Sequence, residues 1–271
     1  MELRERFADL LIIECLEPSR SFRAVAPPIG GDGLSAEHLD QPGCGEAKPY
    51  ICDVGDTTEV ERTFGQIASD LGPVDALIYN AGKGVWGSAE EVSLESFETA
   101  WRTNTLGAFV AAKCVIPAMK QRGSGQIILI GATASLRGGA NTAAFASAKA
   151  AQRSLAQSLA RSLWPAGIHV SLVIVDGIVD EPLMRAKLAD RPDDFFVKPE
   201  DIADTLVQLT WQRRSAWSFE VEARPFGEKW SGSRINHRGV SHDVAIPQPP
   251  FFTGCESGAA SEWQPRCLRQ A

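Results

Sequence analysis

The sequence predicts a single α/β domain with a doubly wound parallel sheet, spanning about residues 50–230. Three observations carry this. Short apolar runs alternate in order with longer amphipathic stretches, and repeated strand–helix–strand order means a parallel sheet covered on both faces. Several runs stop at a tight-turn signal: Asp53, Asn80-Ala81-Gly82, Asp176-Gly177. The chain of 271 residues is 44% hydrophobic and 23% charged, ordinary globular usage and enough for one good-sized core.

The elements follow from the pattern. Lys48 to Cys52 is a short apolar run ending in Asp53. Thr57 to Leu71 has helical spacing at Val60, Phe64, Ile67 and Leu71, an acidic first turn and Asp56 as N-cap. Val74 to Tyr79 reads as a buried strand. Ser93 to Arg122 is one long helical stretch, interrupted near its end by Pro117. Gln126 to Ile130 is too short and too β-branched for a helix. Thr142 to Trp164 is Ala- and Leu-rich and helical, stopped by Pro165-Ala166-Gly167. Ile168 to Val175 is a strand, and Pro199 to Gln212 is a helix with Pro at its first position and acids in its first turn. Trp217 to Glu222 alternates as an edge strand does.

The two ends read differently. Residues 1–49 open with a helix over Glu2 to Ala8 and an apolar run, Leu10 to Leu16. They then lose periodicity through Pro27-Pro28, Gly30-Gly31-Asp32-Gly33 and Gln41-Pro42-Gly43. Residues 231–271 are rich in Gly, Ser, Pro and Gln, and an unstructured extension is expected there. This texture suggests a chain shortened or altered at its ends.

Net charge is −7 and the sequence pI near 5.2, which argues against a general nucleic-acid binder. No run approaches the ~18 apolar residues of a membrane span, and the acidic start lacks the pattern of a secretory signal. A cytoplasmic location, with no nucleic acid and no membrane as partner, is the expectation. The six cysteines show no CxxC spacing; reduced, mostly buried thiols fit better than a loose zinc site from His237, His242, Cys255 and Cys267. No metal is expected.

Four features in order carry the chemistry: Cys52-Asp53-Val54, Tyr79-Asn80-Ala81-Gly82, Asn104 within Thr103-Asn104-Thr105, and Lys149 four residues after Phe145 on one helix face. In that order and spacing, over about 180 residues, the chain resembles the short-chain dehydrogenase/reductase family. The resemblance implies a Rossmann-like fold, NAD or NADP as cofactor and hydride transfer on an alcohol or carbonyl, a small-molecule substrate. It places Asp53 and Val54 at the adenine end, Asn80, Ala81, Gly82 and Gly177 along the cofactor, and Asn104 beside a water next to Lys149. It also implies a homodimer or homotetramer built through residues 93–122 and 142–164. Ser215 to Trp230 resembles the C-terminal end of a divergent branch that carries Phe in place of the catalytic Tyr.

The departures are as specific as the matches. Phe145 stands where the family has its acid/base tyrosine, and Ala132, thirteen residues earlier, stands at the serine that polarises the carbonyl. A positioned acid or base is worth about 10²–10⁴-fold and one oxyanion donor about 10²–10³-fold. Thr133 and Ser135 are the nearest candidate replacements, while Ser147 falls on another helix face. The Gly-rich strand–turn–helix unit that binds pyrophosphate is missing before Asp53, and Asp176-Gly177 replaces the family's Pro-Gly. A sheet without that central strand must fill the gap with Leu10 to Leu16 or Ser21 to Val25, or leave an edge exposed. Two functions are therefore expected to compete: an NAD(P)-dependent oxidoreductase, and a catalytically inactive homologue acting as a binding or structural protein. A regulatory or nucleic-acid domain on the same fold is remote, given the acidic balance.

Overall fold

The computed structural model describes residues 10–16, 21–25 and 50–227. The expected helix over Glu2 to Ala8, the Gly30-to-Gly33 loop, the 231–271 extension and the His237/His242/Cys255/Cys267 group lie outside those residues.

A parallel sheet follows from the four central apolar runs. Strands β3 (Ala76–Tyr79), β4 (Gly125–Ala132), β5 (Ile168–Val175) and β8 (Glu220–Ala223) pair in that order, all parallel. Successive residues point to opposite faces of a strand, and the burial divides accordingly. Leu77, Tyr79, Ile127, Leu129, Leu172 and Ile174 pack with the helices α1 (Thr57–Leu71), α3 (Gly107–Arg122) and α4 (Ala143–Leu163). Ile78, Ile128, Ile130, Val173 and Val175 pack with Leu206 and Leu209 of α6 (Pro199–Thr210). Helices therefore cover both faces, as the strand–helix alternation predicts.

The gap beside β3 is filled. β1 (Leu10–Leu16) pairs with β3, Leu10 opposite Tyr79 and Ile13 opposite Ala76, and β2 (Ser21–Val25) pairs with β1 on its outer side. Both pairings are antiparallel. The strand that replaces the missing one thus runs the wrong way to feed a helix at the carboxyl ends of β3 to β5. The short run at 50–52 forms no strand, although Tyr50 and Cys52 are buried and Ile51 exposed in strand-like alternation.

Local chemistry fixes the helices. The Asp56 carboxylate accepts from Thr58 N at 2.8 Å and Glu59 N at 3.2 Å, capping α1, and Gly72, with φ +90°, ends it before Pro73. The long stretch after Ser93 is not broken at Pro117, as expected, because that residue lies on the solvent face and α3 continues to Arg122. The break comes earlier: α2 (Leu94–Trp101) passes through a π-helical turn, Arg102–Leu106, into α3. Elsewhere the boundaries move by a few residues; β4 extends to Ala132, and the edge strand begins at Glu220 rather than Trp217. A two-stranded ribbon, β6 (Ile178–Val179) with β7 (Phe196–Val197), flanks the short α5 (Pro182–Lys187). No helix among the described residues is long and apolar enough to cross a membrane.

Gly107, at the start of α3, has ordinary helical backbone angles, yet a Cβ there would collide with the Tyr79 hydroxyl and the Val54 carbonyl. Gly65 on α1 has nothing within 4 Å. We expect Gly107→Ala to lower stability by about 1–3 kcal/mol through overpacking. Gly65→Ala should raise it by about 0.5–1 kcal/mol through helix propensity. Urea midpoints of the two variants check the pair; equal shifts would contradict the packing account.

Candidate active site

The site begins with the π-helical turn, and Asn104 explains it. The Asn104 side-chain amide donates to Ala100 O at 2.8 Å, a carbonyl of the preceding turn, and to Lys83 O at 3.0 Å. The side chain thus takes an acceptor the helix would otherwise use, and the backbone widens by one residue, so that Gly107 N bonds Arg102 O. Two further bonds set the turn in place: the Tyr79 hydroxyl donates to Thr103 O at 2.5 Å, and Thr105 Oγ1 donates to Ala148 O on α4 at 2.8 Å.

Asn104, Lys149 and Gly82 meet. Asn104 is wholly buried, and its Oδ1 has no hydrogen-bond partner. Measured from the position a Cβ would take on Gly82, Asn104 Oδ1 lies at 3.3 Å and Lys149 Nζ at 3.6 Å. A Cβ on residue 82 would crowd Asn104 Oδ1 and stand in ordinary contact with Lys149 Nζ, so glycine keeps that approach to the two polar atoms clear of a side chain. Lys149 is 4% exposed. Its ammonium donates to Ile130 O at 2.8 Å and to Gln152 Oε1 at 3.2 Å. Burial pushes its pKa down from 10.5 to about 8.

The positions of the absent hydroxyls are occupied differently. The Phe145 ring packs against Trp86, centroids 5.6 Å apart at 42°. Ala132 carries no polar side-chain atom; its N–H donates to Ser135 Oγ at 3.1 Å, and Ser135 is buried. Thr133 Oγ1 donates to Asp176 Oδ1. Asp176 is buried and ion-paired with Arg224 at 2.7 Å, with the Arg137 guanidinium at 3.8 Å. Ser147 is exposed and bonds Ala144 O at 2.9 Å.

The other sequence-predicted residues scatter. Asp53 is exposed, its Oδ1 accepting from Gly55 N at 2.8 Å, which is the loop-capping geometry of an Asx turn. Val54 is buried beneath Gly107, Ala81 is buried and Asn80 exposed. Gly177 packs against Pro225 and Val197. Sequence reasoning missed Trp86, Gln152 and Arg224. Gln152 carried a readable signal, since residues three apart share a helix face with Lys149. Trp86 and Arg224 carried none, because their contacts join distant segments.

Comparisons with known proteins bear on this arrangement. A family model described as short chain dehydrogenase matches residues 34–192. The 3-oxoacyl-[acyl-carrier-protein] reductase MabA of Mycobacterium tuberculosis is 31% identical over 166 residues, 60% of this chain and 66% of that protein. The chain therefore spans just under two thirds of that curated relative. A crystal structure of a short-chain dehydrogenase from Rhodopseudomonas palustris is 34% identical with TM-score 0.57, covering 67% of this chain and 76% of that one. A metagenomic short-chain oxidoreductase in complex with NADP is 25% identical with TM-score 0.57, over 67% and 75%.

The buried ammonium makes a pH prediction. Because the folded pKa, about 8, lies below the unfolded 10.5, the unfolded chain holds more protons between these values. Stability therefore gains as pH rises through that window, and below pH 8 the buried charge costs roughly 3 kcal/mol before its hydrogen bonds are counted. Lys149→Met should be more stable than the parent at pH 7, with the difference shrinking between pH 8 and 10.5. Paired urea denaturation across that range measures it; a constant difference would contradict the buried charge.

Proposed function

The chain belongs to the short-chain dehydrogenase family, and from that premise we propose an NAD(P)-dependent oxidoreductase that moves a hydride between its cofactor and an alcohol or carbonyl. The observation that carries the reading is the convergence of Lys149 Nζ and the partnerless Asn104 Oδ1 on the open face of Gly82. A donor and an acceptor that both face the Cβ position of a glycine suit the vicinal hydroxyls of a ribose. The similar structure that holds NADP supports a nicotinamide dinucleotide without choosing between NAD and NADP. Such a cofactor, when bound, supplies the hydride donor or acceptor.

Residues of this chain would do the rest. Lys149 uses two ammonium hydrogens on Ile130 O and Gln152 Oε1, which leaves one for a ribose hydroxyl. Thr133 gives its hydrogen to Asp176, so its oxygen offers a lone pair to a substrate hydroxyl. In alcohol oxidation the substrate proton passes to Thr133 as the Thr133 proton passes to Asp176. Ser135 Oγ accepts the Ala132 N–H and keeps its own hydrogen, which could be donated to a substrate oxygen. The pyrophosphate end has less support. Among the described residues the strand beside β3 is antiparallel and delivers no helix N-terminus there.

A second reading is favoured by one contact. Phe145 against Trp86 fills the acid position with a packed aromatic pair, which suits a protein that binds the ligand without turnover. Both readings share an assembly proposal, a homodimer or homotetramer through residues 93–122 and 142–164. In support, α2 and α3 expose the large apolar side chains of Leu94, Phe97, Trp101 and Phe109, at 89%, 42%, 40% and 47%.

Cofactor at 100 times its Kd stabilises by about 2.7 kcal/mol, so 1 mM NADH or NADPH should raise Tm by roughly 5–10 °C. If the reading holds, Thr133→Val keeps that shift and loses turnover by about 10²-fold or more. A Tm shift without turnover on an alcohol and ketone panel selects the binding protein. No shift with either cofactor sinks both readings. Light scattering tests the assembly, and Phe97→Glu with Trp101→Glu should yield monomers.

A further inference from the structure

We propose that Gln152 is a positioning residue: its side-chain oxygen and the Ile130 carbonyl fix two hydrogens of the Lys149 ammonium and direct the third at the Gly82 turn. Gln152 lies three residues after Lys149 on α4 and is wholly buried among apolar neighbours of that helix. Such a position ordinarily takes an aliphatic side chain, because an amide there must find partners or lose its hydration uncompensated. Gln152 finds one partner. Its Oε1 accepts from Lys149 Nζ at 3.2 Å, and its Nε2 has none. Exchanging the amide atoms would set an NH₂ against an ammonium that has only donors, so the oxygen-inward orientation is fixed by charge.

The geometry gives this bond a direction. Ile130 O, at 2.8 Å from Nζ, belongs to β4, locked between β3 and β5. With one anchor on the sheet and one on its own helix, the ammonium has a single hydrogen left, and Nζ stands 3.6 Å from the Cβ position of Gly82. Among the described residues, Lys83 next to Gly82 is the cation nearest that turn in sequence, and it is half-buried; charges on the other elements packed against Lys149 are exposed or engaged. β4 carries no titratable side chain, and the turn Thr133–Ser135 carries none. On the helical stretch facing α4, Glu95 is exposed and Glu98 pairs with Arg102. Tyr79 on β3 is bonded to Thr103 O. His169 on β5 is bonded to Ser218 O, and Asp176 beyond its end is held by Thr133 and Arg224. On α4 itself, Arg153 is paired with Glu220. Burial alone lowers the Lys149 pKa, and the Gln152 oxygen opposes it by favouring the charged form.

The proposal deepens the oxidoreductase reading and rests on it for the purpose of the third hydrogen, though not for the two bonds. The test is the titration of Lys149 by NMR in the cofactor-free full chain labelled at lysine Cε, its signal assigned by loss in Lys149→Arg. Gln152→Leu removes the acceptor and should lower the midpoint by about one pH unit; Gln152→Glu, the same shape with a negative charge, should raise it by at least as much. If Gln152→Leu fails to fold, the isosteric Gln152→Glu still decides the matter. Midpoints equal to the parent's, or moving in the same direction in both variants, overturn the proposal. If the midpoints move as stated while neither NADH nor NADPH binds the parent, the positioning role stands and the oxidoreductase reading falls.

Discussion

The bond from the Asn104 amide to Ala100 O looks minor, yet the carboxyl end of the sheet is organised around it. By taking a helical carbonyl, the side chain admits one extra residue to the helix, and the π-helical turn that results points Thr103, Asn104 and Thr105 inward. Thr103 O then receives the Tyr79 hydroxyl at the end of β3, and Thr105 reaches the backbone of α4. The same amide holds Lys83 O, so the turn containing Gly82 is tied to the turn containing Asn104. Three elements far apart in sequence meet through side chains that have no alternative partner once buried, and a buried polar group left without one costs about 1–3 kcal/mol.

Within that frame the cation is kept and the proton donors are not. Lys149 is buried between a sheet carbonyl and a helix amide; burial lowers its pKa and the two bonds limit its geometry. The tyrosine position holds a ring packed on Trp86 and the serine position a methyl group. What survives is a donor and an acceptor that both face the Cβ position of Gly82. Thr133 pairs with Asp176 where β4 and β5 end, and Asp176 occupies the place that the sequence marks as a departure from Pro-Gly.

The N-terminal hairpin completes the hydrogen bonding of the sheet without restoring its topology. β3 would otherwise present an open edge, and β1 covers it. Pairing satisfies backbone donors and acceptors in either direction, but only a parallel strand ends where a phosphate-binding helix can begin. Edge protection and nucleotide binding are thus separable properties of one sheet position.

The sequence alone determined the elements whose signals are local. Asp56 capped α1 because a carboxylate three residues before a free N–H is available at once, and β3, β4 and β5 followed from runs of Leu, Ile and Val too short for helices. The resemblance carried by its motifs implied that Asn104, Lys149 and Gly82 share a site, and that Phe145 and Ala132 stand at the positions of groups that move a proton. Tertiary structure decided what depended on distant partners: the direction of β1 and the absence of a strand at 50–52. It alone paired Thr133 with Asp176, Phe145 with Trp86 and Asp176 with Arg224. Local propensity is written along the chain, whereas a hydrogen bond between residues 43 positions apart exists only once the sheet has brought the two strand ends together.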